Sequence, residues 1–260
     1  MKIAIIIPAH NEEKRIGKTL ESHSSYFEAI RKQGALDYEI LVVINNTSDK
    51  TETIVKKYAQ KNKRIRCLNL KEGGKGYAVL EGFKDALNRN NDFVGFVDAD
   101  LATPSESFHN LIKALGKADG IIASRYLKDS LITPSRTFRR LVIGKGFNLL
   151  VRTLFFLPYK DTQCGAKIFT RQTATEITRN IKMSQWAFDV ELLYHLYKNK
   201  FKIKEVPTIW KEVEGSKINL KKSSAQMLLS IIQLRIIKSP LKGILKPLSP
   251  VTNALWNLTK

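Results

Sequence analysis

The sequence predicts an α/β fold: a doubly wound, mostly parallel sheet with helices on both faces. Three observations predict it. Largely apolar runs recur at residues 3–7, 38–44, 65–70 and 93–97, as strands buried on both faces require. Each run gives way to a polar loop and then to a stretch of helical periodicity, and that alternation builds parallel sheets through right-handed crossovers. At 260 residues, the chain is long enough to bury one sizeable core without disulfide or metal staples.

Taken in order, residues 3–7 form an all-apolar strand closed by Pro8 and the loop Ala9-His10-Asn11-Glu12-Glu13, with a helix over 15–33. Residues 38–44 form a second strand ending in Asn45-Asn46-Thr47-Ser48-Asp49, where Ser48 or Asp49 suits the cap of a helix over 51–60. The third strand, 65–70, opens into Gly73-Gly74-Lys75-Gly76 and a helix over 77–88. The strand 93–97 stops on Asp98-Ala99-Asp100. The TPSE segment follows, with Thr103 at the cap, Pro104 at the first helical position and Glu106 three residues past the cap, which reads as a helix start.

Further on, 120–124 is a short strand ending in Ser124-Arg125-Tyr126. A loop over 127–135 leads to Arg136, Arg139, Arg140 and an apolar helix carrying Lys145 and Arg152. DTQCGAKIF, 161–169, enters a strand, and WAFDVELL, 186–193, begins a helix with Asp189 and Glu191 near its start. Residues 201–209 read as a strand, WKEVEGSK as a polar segment, and 223–238 as a basic amphipathic helix before a proline-containing tail. The expected organisation is one domain over 1–222 and a basic helix with tail over 223–260.

Charge is the unusual bulk property. The net charge is +20, and it is uneven: residues 1–130 hold 21 Lys and Arg against 17 acids, residues 131–260 hold 23 against 7. Such asymmetry points to an anionic partner, whether a phosphate-rich substrate, an acidic membrane surface or nucleic acid. Nucleic-acid binding calls for aromatic residues interleaved with the basic ones. The basic C-terminal helix offers Leu and Ile instead, so no nucleic-acid partner is expected. Two distant cysteines, Cys67 and Cys164, suggest neither a disulfide framework nor a zinc site. No signal peptide and no transmembrane helix are expected, since 141–157 is broken by Lys145 and Arg152 and 227–237 is too short.

Loops that follow parallel strands gather at one sheet edge, where open α/β sheets bind ligands. Asp98 and Asp100 stand two apart, so extended backbone sends both carboxylates to the same side. A hard divalent cation, Mg²⁺ or Mn²⁺, takes one or two such carboxylates and completes its shell with water and diphosphate oxygens. Gly73 to Gly76 permits close backbone approach and brings Lys75 toward negative charge, while Asn11 and Glu12 are placed to meet a base or ribose. Read without partners, the same strings also serve as a solvated turn, a flexible strand-to-helix loop and a first-turn acid.

Together, PAHNE, GGKGYAVLEG, DAD and SRY, in that order over residues 3–224, resemble the family 2 inverting glycosyltransferases of GT-A fold. DTQCGAKIF, WAFDVELL and EVEGSK resemble the branch acting on polyisoprenoid phosphates, most closely the dolichyl-phosphate β-glucosyltransferases, with the dolichyl-phosphate mannose synthases as near relatives. The resemblance implies a three-layer GT-A sandwich, with Asp98 and Asp100 as metal ligands. It implies donor contacts from Pro8, Ala9, Asn11, Glu12, Asn45, Lys75, Asp98, Ala99, Gln163 and Lys217. Arg125 and Arg140 correspond to acceptor-phosphate ligands, and Asp189 to a carboxylate acting as a base or orienting sugar hydroxyls. The implied reaction moves a sugar, glucose favoured, from a uridine diphosphate sugar to dolichyl or polyprenyl phosphate at the cytoplasmic face of a membrane, with the protein bound peripherally to an anionic surface.

Two departures stand out. Ile44 and Asn45 occupy positions where the family usually has two aspartates, and Ala102 stands where the mannose synthases carry a metal-binding Gln, which the glucosyltransferase-like branch also lacks. The competing readings are a family 2 enzyme with a saccharide acceptor and a catalytically silent basic binding module.

Overall fold

The computed structural model describes residues 1–134, 138–182, 187–212 and 220–239. Its strands are β1 Lys2–Ala9, β2 Asp37–Asn45, β3 Ile65–Leu70, β4 Phe93–Phe96, β5 Gly120–Ser124, β6 Leu131–Thr133, β7 Lys167–Thr170, β8 Ile203–Pro207 and β9 Ile209–Lys211. Its helices are α1 Ile16–Lys32, α2 Thr51–Lys61, α3 Lys75–Leu87, α4 Ser105–Leu115, α5 Phe138–Phe155, α6 Arg171–Asn180, α7 Phe188–Lys198 and α8 Leu220–Ile237.

A seven-stranded sheet runs in the order β3-β2-β1-β4-β7-β5-β8, and β6 with β9 forms a two-stranded ribbon. Strands β1 to β4 pair in parallel, as do β5 and β8, while β7 lies antiparallel between β4 and β5. The two-residue period of each strand divides its side chains between two cores. Ile3, Ile5 and Ile7 of β1 and Ile40, Val42 and Ile44 of β2 face a layer built from α1, α2 and α4. Ala4, Ile6, Leu41 and Val43 face the opposite layer, where Val79 and Phe83 of α3, Ile177 of α6 and Leu193 of α7 pack. The result is the three-layer sandwich that the alternating strands and helices predict.

The same arithmetic settles Ile44. It is fully buried in the α1/α2 layer, so an acid there would point into hydrocarbon and not into the loop edge.

Four details differ from the sequence reading. Helix α4 begins at Ser105 with Pro104 before it in an extended conformation, ψ 152°, and no side chain caps it; Thr103 is buried and is not the cap. The expected strand over 201–209 is two strands, because Pro207 closes β8 without an N–H to continue the ladder and Thr208 O accepts from Leu131 N instead, starting the β6–β9 ribbon. The loop expected over 127–135 therefore contains β6. Helix α6 had no place in the sequence reading.

No helix among the described residues is long and apolar enough to cross a membrane. Ile231 and Leu234 of α8 and Val151 and Phe155 of α5 are buried in the α3 core, whereas Val142, Leu149 and Phe156 of the α5 region and Leu228, Ile232 and Ile237 of α8 are exposed.

His23 lies fully buried beneath Phe27 and Phe108. Burial lowers its pKa to about 4, against the pull of its hydrogen bond to Thr19 O. The folded state therefore keeps His23 neutral where the unfolded chain, near 6.5, takes up a proton. Stability is complete above the unfolded value and declines as pH falls toward 4, by up to roughly 3 kcal/mol from this group. Urea unfolding of wild type and His23→Gln between pH 7 and pH 4 checks this: the variant is expected to lose that part of the pH dependence.

Candidate active site

The carboxyl ends of β1, β2, β3 and β4 converge on one edge, and the loops that leave them are bound to each other. Asn11 adopts a left-handed backbone, φ 54°, and its Oδ1 accepts from Ser48 N at 2.9 Å. Glu12 N donates to Thr51 Oγ1 at 2.8 Å, and Glu12 takes both Nε and Nη2 of Arg15 at 2.6 and 2.7 Å. Burial pushes the Glu12 carboxyl up while Arg15 pulls it down, and the charges of Asp100 and Asp98 add to the upward side. Glu12 therefore lies in the field of the aspartate pair.

Asn45 explains one of the departures. Its amide nitrogen donates to Ala9 O at 2.8 Å and its oxygen accepts from Gly74 N at 3.0 Å, so the side chain joins the first loop to the glycine loop. A carboxylate at this position would accept from Gly74 but face the Ala9 carbonyl without a proton to give. Asn45 is buried and acts as a loop tie.

Val97 and Ala99 are buried in the α1/α2/α4 layer, so the alternation of β4 persists past its last ladder residue and turns Asp98 and Asp100 the other way, as the spacing predicts. Asp100 Oδ1 accepts from Ala102 N at 3.0 Å. Its carboxyl is raised, first by burial and then by the charge of Asp98. Lys75, the first residue of α3, places Nζ 2.6 Å from Asp98 Oδ1. Burial works against its charge, but Asp98, Asp189 and Asp100 together hold its pKa above the ordinary value.

Asp189 stands in the first turn of α7. It pairs at 2.6 Å with Lys167 Nζ, which is fully buried and also donates to Cys164 O at 2.7 Å. Both lysines lie over the Phe96 ring, at 5.3 Å for Lys167 and 5.7 Å for Lys75. The site is thus a cluster of three carboxylates, Asp98, Asp100 and Asp189, and two ammonium groups, Lys75 and Lys167, with both lysines over one aromatic ring.

Two glycines permit the approach. A Cβ on Gly165 would overlap the Asp98 carboxylate, and a Cβ on Gly76 would overlap Phe188 at the start of α7.

Arg125 follows β5, and its guanidinium lies over the rings of Tyr126 and Trp210. Its Nε and Nη2 hold the fully buried Asp161 at 2.7 and 2.8 Å. Burial alone would raise the Asp161 carboxyl, but Arg125 outweighs it and keeps the pKa low. Two of the guanidinium nitrogens are thus committed to Asp161.

Of the other expected contacts, Ala9 and Ala99 are buried, leaving only backbone to meet a ligand, and Ala99 O accepts from Thr19 at 2.7 Å. Pro8 lies in β1 beside Val43. Gln163 follows Asp161, and its Nε2 is buried without a hydrogen-bond partner among the described residues. Glu191 accepts from Lys182 N at 3.1 Å and pairs at 2.7 Å with Lys238, just past the end of α8, the satisfied helix-start acid. Lys217 and the Arg140 side chain lie outside the described residues. Sequence reasoning misses Lys167 of DTQCGAKIF; a lysine among the apolar residues of a strand is the signal, since a buried charge needs a partner.

Among the described residues no group of three or more His, Cys, Asp or Glu forms a metal cage. The Asp98–Asp100 pair still fits a hard divalent ion of the kind that takes one or two carboxylates and completes its shell with substrate phosphates, and the Lys75 ammonium on Asp98 shows that the position accepts positive charge.

Lys167→Met leaves Asp189 buried without its cation, and a loss of roughly 3–5 kcal/mol in urea unfolding is expected, part of it recovered in Lys167→Met/Asp189→Leu. Gly165→Ala is expected to displace Asp98 and abolish divalent-ion binding measured by calorimetry. Gly146→Ala, whose Cβ would meet nothing within 4 Å, is expected to add about 0.5–1 kcal/mol to stability.

Comparison with known proteins agrees with this geometry. The family model described as Glycosyl transferase family 2 matches residues 4–177. A dolichyl-phosphate beta-glucosyltransferase of Dictyostelium discoideum is 35% identical over 90% of this chain and 73% of its own length. A protein of that name from Trichomonas vaginalis is 36% identical over 90% and 72%, and one from Homo sapiens 32% identical over 84% and 69%. Among solved structures, glucosyl-3-phosphoglycerate synthase from Mycobacterium tuberculosis, crystallised with Mn²⁺, uridine diphosphate and phosphoglyceric acid, superposes with a TM-score of 0.67 at 17% identity, over 90% of this chain and 78% of that one. With the fold, the aspartate-bearing sheet edge and these relatives in agreement, the chain belongs to glycosyl transferase family 2.

Proposed function

We propose that this glycosyltransferase moves glucose from UDP-glucose to dolichyl or polyprenyl phosphate, with inversion at the anomeric carbon, on the cytoplasmic face of a membrane. The observation that carries the reading is the similarity, at 31–36% identity over most of the chain, to several proteins named dolichyl-phosphate beta-glucosyltransferase. The site supports it chemically. Negative charge builds on the departing diphosphate as the glycosidic bond breaks, so cations at that place lower the barrier. Lys75, at the N-terminus of α3, supplies one such charge together with the helix dipole.

Asp98 and Asp100 would hold Mg²⁺ or Mn²⁺. Bound there, the ion supplies Lewis-acid stabilisation of the leaving group. Asn11, Glu12 and Gln163 are the side chains for the nucleoside and sugar, with Pro8, Ala9 and Ala99 offering backbone and Asn45 fixing the loops; Lys217 is assigned to the diphosphate by resemblance.

The acceptor phosphate is already anionic near neutral pH and needs little general-base help. Positioning matters more, and Arg140 together with Nη1 of Arg125, which carries no hydrogen bond among the described residues, are the groups proposed for it. Asp189 is committed to an ion pair with Lys167 at 2.6 Å, which favours orienting sugar hydroxyls over taking a proton. The exposed Val142, Leu149 and Phe156 beside Lys145 and Arg152 supply the mixed apolar and basic surface that peripheral membrane binding uses.

The test is a donor screen. Purified protein, polyprenyl phosphate, Mg²⁺ or Mn²⁺ and labelled UDP-glucose, GDP-mannose or UDP-N-acetylglucosamine are incubated and extracted into organic solvent. Label is expected in the lipid phase from UDP-glucose, lost with chelator and reduced at least about a hundredfold in Asp100→Ala. Label from GDP-mannose alone reassigns the sugar, and label appearing only in saccharide overturns the lipid acceptor.

A further inference from the structure

A group of basic side chains gathers beside Tyr126, the ring that the Arg125 guanidinium overlies. Lys145, Asn148, Leu149 and Arg152 share one face of α5, and with Tyr126 and Lys160 they line a cavity of about 260 Å³. Asn148 is committed to structure: its Oδ1 accepts from Thr162 N and Oγ1 at 2.8 and 2.9 Å, and its Nδ2 donates to Gly144 O. The cavity's three cations are Lys145, Arg152 and Lys160. Among the described residues none of their side chains has an ion pair or hydrogen bond, and the Nε of Arg152 is buried without a partner. The neighbouring carboxylates are already taken, Asp161 by Arg125 and Glu205 by the amides of Lys160 and Asp161.

A buried guanidinium N–H without an acceptor costs free energy, and three uncompensated cations around one cavity repel each other. A phosphate group relieves both, since its oxygens take charge-assisted hydrogen bonds from Arg and Lys. The volume falls below the ~300–1,000 Å³ that drug-sized ligands occupy, which suits a head group rather than a nucleotide sugar. Alongside the Lys145–Arg152 line runs a second line with the same spacing of seven, Val142, Leu149 and Phe156, exposed by 51%, 59% and 74%. A row of apolar side chains next to a phosphate-sized basic cavity is the surface of a lipid-binding helix.

We propose that this cavity binds the phosphate ester of a bilayer lipid head group, with Arg152 as the central ligand and Lys145 and Lys160 beside it, none of which is among the side chains proposed for the donor, the metal or the acceptor phosphate. The inference extends the membrane part of the reading above and uses none of its chemistry.

The experiment measures co-sedimentation of the full chain, without nucleotide or metal, with phosphatidylcholine vesicles brought to equal surface charge by phosphatidic acid or by oleate. Calorimetry with glycerol 3-phosphate tests the free ester. Wild type is expected to prefer phosphatidic acid, and Arg152→Gln to lose about tenfold of that binding. Lys117→Gln, which removes the same charge at the opposite end of β5, is expected to change it less than about twofold. If Arg152→Gln fails to fold by circular dichroism, the exposed Lys145→Gln is expected to lose about fivefold.

Equal binding to the two vesicle types, or equal losses in Arg152→Gln and Lys117→Gln, overturns the site and leaves general surface charge. Glycerol 3-phosphate binding that depends on Arg152, without vesicle preference, overturns the lipid source in favour of a soluble phosphate ester. A chain inactive in the donor screen that keeps the phosphate preference retains this site, so the two readings fail separately.

Discussion

The pairing of Lys167 with Asp189 is the constraint around which the rest is arranged. A lysine with no solvent contact is tolerated only where its charge is met in full, and here a carboxylate from α7, a carbonyl from its own loop and the face of Phe96 meet it. That requirement fixes the entry of β7, and the same loop brings the Gly165 backbone against Asp98. Lys75 also lies over Phe96 and pairs with Asp98. Ion pairing within the site holds these side chains in place before substrate arrives, so little reorganisation is left for the moment of reaction.

The loops of the first half are fixed by a different device. Asn11, Asn45 and Thr51 hold the strand ends through neutral or backbone-directed hydrogen bonds. An asparagine amide gives and takes at once, which an aspartate cannot do, and this accounts for Asn45 at a position the family usually fills with an acid. Ile44 has a separate cause: its side chain belongs to the core by strand alternation. Neighbouring departures in sequence thus belong to opposite faces of one strand and carry unrelated consequences.

How much was legible follows from the range of each interaction. Local patterns placed β1 to β5 and the helices between them to within a few residues, because apolar runs and loop chemistry act over short stretches. Asp98 and Asp100 were legible for the same reason. The antiparallel insertion of β7 was not, since nothing local in DTQCGAKIF says which strands it will join. The pairing of Arg125 with Asp161 was not legible either, because the two stand 36 residues apart and nothing local joins them. Lys167 was passed over although a cation within an apolar strand is itself a signal. Thr103 was misplaced as a cap by one residue, a boundary decided by the backbone of Pro104.

The insertion of β7 also sets an order of events during synthesis. Strands β1 to β4 complete one half of the sheet by residue 96, yet β4 then has an unpaired edge until Lys167–Thr170 arrives to bond with it. An unpaired strand with buried-type side chains is a template for pairing with other chains. For the interval in which some seventy residues are added, counted from Phe96 to Lys167, the emerging chain has an adhesive border and no finished site. Its vulnerability to aggregation therefore ends with the same strand that brings Lys167 to Asp189.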